Sequence, residues 1–222
     1  MKLKLSNKSV IVFDLDDTLF KEIEYLKSAY KYIAEEVCSN NSIKLYKKML
    51  DLYYSGNNAF NYLIENYPEK SKNVDYLLEL YRNHYPNITL EPEINDFLLK
   101  LIENKIILGI ITDGRSNTQR NKLKALGIEK QFNYILISEE FGYSKPNELN
   151  YKLFMQKFPD KNYIYIADNI KKDFITPNKL GWLTICLLDD GRNIHKQSFN
   201  YEKEYLPKEL IKSFSELEIV YE

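Results

Sequence analysis

Cysteine, glycine and proline are all scarce in this sequence. Two cysteines in 222 residues, Cys38 and Cys186, cannot form a disulfide framework, and a chain this long buries a core that needs no such staple. Both are expected as small buried apolar side chains. Seven glycines and seven prolines exclude collagenous, linker-like and proline-rich classes. No apolar run approaches the roughly 18 residues that a membrane-crossing helix needs. The longest, Ser9 to Phe13 and Ile106 to Ile111, are the size of strands. Lysines in Met1 to Ser9 lead into too few apolar residues for a secretory signal, so the expected location is the cytoplasm and no membrane partner is expected. An excess of one charge is also missing. Thirty-one Lys and Arg face 32 Asp and Glu, dispersed along the chain, which argues against nucleic acid as a partner. His84 and His195 are unlinked, make no case for a triad or a zinc site, and are expected at the surface or in loops.

What the chain does have is apolar and aromatic content, 44% and 14%, enough for a folded protein of one or two domains. Val10-Ile11-Val12-Phe13 is a continuous β-branched run, as in a strand buried on both faces of a parallel sheet. From Glu22 to Tyr85 the apolar period becomes 3.6, with Ile23, Leu26, Tyr30, Ile33 and Val37 on one stripe. Breaks fall at Ser39-Asn40-Asn41, at Ser55 to Asn58 and at Tyr67-Pro68. Residues 20–86 are therefore expected to form a small helical domain inserted into a core made of 1–19 and 87–222. Beyond Pro92, strand and helix alternate. Strands are expected at Ile106 to Ile111, Tyr134 to Ile137, Tyr163 to Ala167 and Thr184 to Leu188, with helices over Glu93 to Asn104, Asn117 to Leu126 and Asn147 to Phe158. That rhythm predicts an α/β fold, a three-layer parallel-sheet Rossmann-like core. Lys203 to Glu222 is too irregular to place.

Polar clusters follow the strands: Asp14-Leu15-Asp16-Asp17-Thr18 after the first, Thr112-Asp113-Gly114-Arg115 after the second, Ser144-Lys145-Pro146 beyond the third and Asp168-Asn169 after the fourth. Carboxyl ends of parallel strands share one edge, so these clusters converge on a crevice. Alternation in extended chain puts Asp14 and Asp16 on the same side. Paired carboxylates need a compensating charge, and Asp14, Asp16 and Asp168 are hard oxygen donors of the kind that hold Mg²⁺. Asp14 is then placed to attack phosphorus, Lys145 and the Thr112 hydroxyl to hold the phosphate oxygens, and Asp16 to carry protons. Taken singly these residues have plainer readings. Thr112 and Asp113 suit a turn or N-cap, Lys145 the surface, and Asp173 the first turn of a helix.

In order and spacing, Asp14-Leu15-Asp16-Asp17-Thr18-Leu19, Thr112-Asp113, Lys145-Pro146 and Asp168-Asn169 with Asp173 resemble the four motifs of haloacid dehalogenase-like phosphohydrolases. The helical stretch between the first two resembles that superfamily's C1-type cap. Ala167 departs from the glycine often found before the acidic pair. The resemblance implies that Asp14 is the nucleophile and Asp16 the acid/base, which would also bind metal through its main-chain carbonyl. It further implies that Thr112 and Lys145 bind phosphate, and that Asp168 is the third protein ligand of Mg²⁺ with Asp173 an outer contact. Asp113 and Arg115 join the substrate-binding candidates, Arg115 for a second anionic group. The expected activity is Mg²⁺-dependent hydrolysis of a small phosphorylated metabolite, the helical insert acting as a lid. The Tyr53 to Asn58 break is a candidate loop into the crevice or a plain interhelical turn. A phosphomutase carries the same catalytic set and stays open, as do a phospho-accepting signalling domain and a catalytically dead binding module.

Overall fold

A computed structural model describes all 222 residues. After a short strand β1 (Lys2–Leu5) comes β2 (Ser9–Phe13), whose five residues are all buried. β2 is central in a six-stranded, wholly parallel sheet that also contains β3 (Ile107–Thr112), β4 (Tyr134–Ile137), β5 (Asn162–Ala167), β6 (Leu183–Leu187) and β7 (Glu209–Ile211), in the order β4-β3-β2-β5-β6-β7. The chain leaves β2 to build β3 and β4 on one side, makes the single turn α8 (Ser138–Phe141) after β4, then crosses to build β5 on the other. The strand order therefore reverses at β2, and a crevice opens at the carboxyl ends of β2, β3 and β5.

Alternation along β2 divides the core. Ile11 and Phe13 join Leu108, Ile110 and Ile166 against α6 (Pro92–Glu103) and α7 (Ser116–Ala125). Val10 and Val12 join Ile111 and Tyr165 against α9 (Glu148–Lys157) and the segment around Phe174 that leads into α10 (Ile175–Lys179). A run apolar at every position is what burial on both faces requires. Gly109 serves close packing: a Cβ there would sit 2.2 Å from the Phe154 ring, so its absence lets α9 lie against the sheet.

Between β2 and β3 lie α1 (Glu22–Val37), α2 (Ser42–Tyr54), α3 (Ala59–Asn66), α4 (Pro68–Ser71) and α5 (Val74–Asn83). Their apolar stripes enclose a core of their own around Ile33, Met49, Leu63 and Leu77. The expected breaks are present, and a further one at Lys72-Asn73 is made by a positive φ of 51° at Lys72 and by the Asn73 side chain accepting from the Tyr76 amide. Of the Tyr53 to Asn58 stretch, the two tyrosines end α2, and Ser55 to Asn58 form an interhelical turn closed on itself. Ser55 Oγ donates to the Asp51 carbonyl, and Asn58 caps α3 by accepting from the Phe60 amide.

His84 is not at the surface. It is 4% exposed, set at the end of α5 between Tyr25 and Tyr32, with Nδ1 2.8 Å from the Tyr81 carbonyl and Nε2 3.2 Å from Ser28 Oγ. Two hydrogen-bond partners and flanking rings make the imidazole a packing element. Cys186 is buried, whereas Cys38, just past the end of α1, is half-buried. The segment too irregular to place contributes β7 to the sheet edge and β8 (Glu218–Tyr221), which pairs in parallel with β1.

Candidate active site

Asp14 is the first residue beyond β2, and its amide still donates to the Ile166 carbonyl of β5. The sheet thus fixes its backbone and leaves the side chain at the crevice. Its carboxylate meets Lys145, whose Nζ is 2.8 Å from Asp14 Oδ1 and 2.7 Å from Asp173 Oδ1. The three side chains are nearly or wholly shut off from solvent, and an ammonium buried this deeply requires such partners. Asp168 follows β5, and Asp14, Asp168 and Asp173 each bring a carboxylate oxygen within 4.8 Å of the others. Three buried acids thus cluster where one lysine pairs with two of them.

The charges are unbalanced, and the acids respond. Burial pushes Asp14 up to about 6 despite the opposing pull of Lys145. Burial, then repulsion from Asp173 and Asp14, pushes Asp168 up to about 9. Lys145 loses solvation by burial, yet Asp14, Asp173 and Asp113 hold it more firmly protonated than an ordinary lysine. Asp113 stays below its ordinary value against the effect of burial, because Lys145 and Lys172 lie close and Lys172 Nζ is 2.8 Å from Oδ2. Asp113 Oδ1 also accepts from the Lys145 amide at 2.9 Å, which fastens the Lys145 loop to the end of β3.

Asp16 keeps different company. Although the alternation of extended chain puts it on Asp14's side, the backbone turns at once through Asp17 at φ 56°. The Asp16 carboxylate then lies on α7, with Oδ1 2.6 Å from Lys122 Nζ and Oδ2 2.9 Å from Gln119 Nε2. Asp173 completes the acidic cluster with Asp14 and Asp168, and the Asp16 carboxylate stands apart from it. Thr112, the last residue of β3, is buried and accepts from the same Gln119 Nε2 at 2.6 Å. Arg115 is exposed at the start of α7, and its guanidinium makes no hydrogen bond or ion pair. Asp173 precedes α10, where its Oδ2 accepts from the Asn169 amide at 3.0 Å.

The family model for haloacid dehalogenase-like hydrolases matches residues 11–186, which span every strand that bears these side chains. The chain belongs to that family. A curated relative, the glyceraldehyde 3-phosphate phosphatase of Methanocaldococcus jannaschii, is 28% identical over 80% of this chain and 84% of its own. The phosphoserine phosphatase of Thermus thermophilus is 29% identical over 48% of this chain and 42% of its own. Among solved structures, the HAD-hydrolase YfnB from Bacillus subtilis, bound to magnesium, superposes with a TM-score of 0.64 at 17% identity, covering 95% of this chain and 96% of that one.

Several residues of this haloacid dehalogenase-like hydrolase frame the site beyond those given a role from the sequence. Asn193 donates through Nδ2 to Asp168 Oδ2 at 3.0 Å and accepts from Lys21 Nζ at 2.8 Å. Gln197 donates to the Asp168 carbonyl at 2.8 Å. The Tyr165 hydroxyl lies 3.3 Å from Lys145 Nζ and 3.4 Å from Asp173 Oδ1. Asp17, the third acid of the first motif, accepts from the Glu22 and Ile194 amides and so pins two turns together. Glu22, at the start of α1, is raised to about 7 by burial and by Asp16 nearby. For Gln119 and Lys122 a signal existed. They stand at i and i+3 of a stripe that continues through Leu123 and Leu126, both buried, so both had to face inward.

Proposed function

We propose that the protein is a Mg²⁺-dependent phosphohydrolase that cleaves a small phosphomonoester through an aspartyl-phosphate on Asp14. One observation carries this reading: Lys145, shut in and shared between Asp14 and Asp173, leaves the third buried acid of the cluster, Asp168, without an ion pair of its own. Oxygen donors alone, carrying a surplus of negative charge, suit a hard divalent cation better than a soft metal. Asp14, Asp168 and Asp173 would hold it, with the Asp16 main-chain carbonyl as a further donor. When bound, Mg²⁺ offsets the carboxylates and draws charge from the phosphate oxygens.

The chain's own residues supply the rest. An Asp14 carboxylate oxygen attacks phosphorus, and the bond to the ester oxygen breaks with its electron pair leaving on that oxygen. Lys145 and the Thr112 hydroxyl hold the equatorial oxygens as charge shifts. Asp16 gives a proton to the departing alkoxide and then takes one from the water that attacks the phosphoaspartate, which releases inorganic phosphate and restores Asp14. Residues 20–86 act as a cap over a core of 1–19 and 87–222. The cap rests on α7, where Thr118 Oγ donates to the Arg82 carbonyl and Asn117 to the Asn83 side chain. The relatives' names support small phosphorylated metabolites as substrates, triose phosphates among them.

The test is phosphate release over glyceraldehyde 3-phosphate, phosphoserine, nucleoside monophosphates, sugar phosphates and p-nitrophenyl phosphate, with EDTA or Mg²⁺ present. Turnover is expected to need Mg²⁺ and to vanish in Asp14→Asn. Activity that survives chelation removes the metal, and activity that survives the Asn substitution removes the covalent step.

A further inference from the structure

Gln119 and Lys122, one turn apart on α7, take no part in the chemistry above, yet both close on Asp16. Lys122 is 2% exposed. Its Nζ lies 2.6 Å from Asp16 Oδ1 and 3.9 Å from Glu22 Oε1, and 4.5 Å and 5.6 Å from the ring centroids of Tyr25 and Phe20. An ammonium bounded by two aromatic faces and two carboxylates has little freedom of place. Gln119 is 1% exposed, and its single Nε2 reaches both Asp16 Oδ2 at 2.9 Å and Thr112 Oγ at 2.6 Å. An amide nitrogen carries two hydrogens, so one is available for each acceptor. Both oxygens of the Asp16 carboxylate are therefore held from one stripe of one helix.

Two torsions separate an aspartate carboxylate from its backbone. A proton carrier that wanders by about 1 Å can lose a hundredfold in rate. We propose that Lys122, with Gln119, is a positioning residue for the reaction. It sets the Asp16 carboxylate where a proton passes to the leaving oxygen, and Gln119 ties that setting to the phosphate-binding hydroxyl of Thr112. This rests on the reading of Asp16 as the proton carrier. A buried ion pair that only stabilises the fold would show the same distances, so the test must separate geometry from stability.

The experiment measures kcat and KM of the Mg²⁺-loaded protein over a series from nitrophenyl to alkyl phosphates. An alkoxide needs a proton as it leaves, and a nitrophenolate does not. In Lys122→Met, kcat/KM is expected to fall by about 10- to 100-fold for alkyl phosphates, within the usual worth of acid-base catalysis, and by much less for p-nitrophenyl phosphate. Lys122→Arg is expected to restore most of the loss. Asp16→Asn should show the same dependence on leaving group more strongly, and adding Lys122→Met to it should leave that dependence unchanged. Gln119→Met, which keeps the ion pair, is expected to reproduce the trend more weakly and serves if Lys122→Met does not fold. A loss uniform across leaving groups, or a further change in the Asp16→Asn background, overturns the positioning role. So does a gain in activity on removing the lysine, since the contact would then be holding the carboxylate away from the substrate. If Asp16→Asn itself shows no dependence on leaving group, the proton-carrier reading fails and this inference falls with it.

Discussion

The surplus of buried acid makes a prediction about stability that needs no substrate. In the metal-free protein Asp168 is held near 9, against 3.8 for the unperturbed carboxyl. The folded state therefore keeps a proton that the unfolded chain releases near pH 4, and it keeps it until about pH 9. Between those limits the native state binds more protons, so stability falls as pH rises, by up to about 1.4 kcal/mol per pH unit from this group. From pH 6 to 8 that amounts to about 3 kcal/mol, or about 6 to 12 °C in Tm for a chain of this size. Asp14, raised to about 6, and Glu22, raised to about 7, act in the same direction but complete most of their change by about pH 7. Asp168→Asn removes the titration and keeps a side-chain oxygen for the Asn193 amide. In EDTA, thermal unfolding of the variant is therefore expected to be less sensitive to pH than the wild type, and its Tm at pH 8 to be higher. Mg²⁺ at a hundredfold excess over Kd should raise the wild type by about 2.7 kcal/mol and the variant far less. A variant that unfolds earlier than wild type at pH 8 without metal, or that gains as much from Mg²⁺, would refute the reasoning.

Two further substitutions probe the frame around the cluster. Asn193→Ala takes away the amide that orients Asp168 and is expected to weaken Mg²⁺ binding by about 10- to 100-fold, the usual effect of an outer-shell partner; calorimetry giving an unchanged Kd would show that the contact is idle. Gly109→Ala puts a methyl group 2.2 Å from the Phe154 ring and is expected to cost about 1–3 kcal/mol in denaturant unfolding. Phe154→Leu in the same chain should recover part of that loss, and a neutral single substitution would mean that α9 sits farther from β3 than described.

The sheet was legible in the sequence because buried parallel strands announce themselves. Val10 to Phe13 is apolar at each position, and the acids that end it are costly anywhere but at an opening. Asp173 could be read either as a first-turn helix acid or, by the resemblance, as an outer metal contact, and its contacts with the Asn169 amide and Lys145 were not legible in the sequence. Gln119 and Lys122 meet Asp16 across 103 and 106 residues of sequence. Only the leucines that share their stripe hinted at an inward face. Asn193 had no hint, because it lies in a loop without periodicity beyond β6, where hydrogen bonds and not apolar pattern fix the chain. β7 and β8 are three and four residues long, too short for alternation to rise above chance. His84 lies in a bend just past α5, within the surface-or-loop expectation, but its burial was not legible, because an isolated histidine is ordinarily exposed and here the Ser28 hydroxyl and the Tyr81 carbonyl satisfy it.

Asn193 touches two parts of the molecule that have different jobs. One end of its amide steadies Asp168, and the other receives Lys21 at the threshold of α1. The carboxylate and the start of α1 are thereby fastened through a single side chain, so a substitution at Asn193 disturbs both at once.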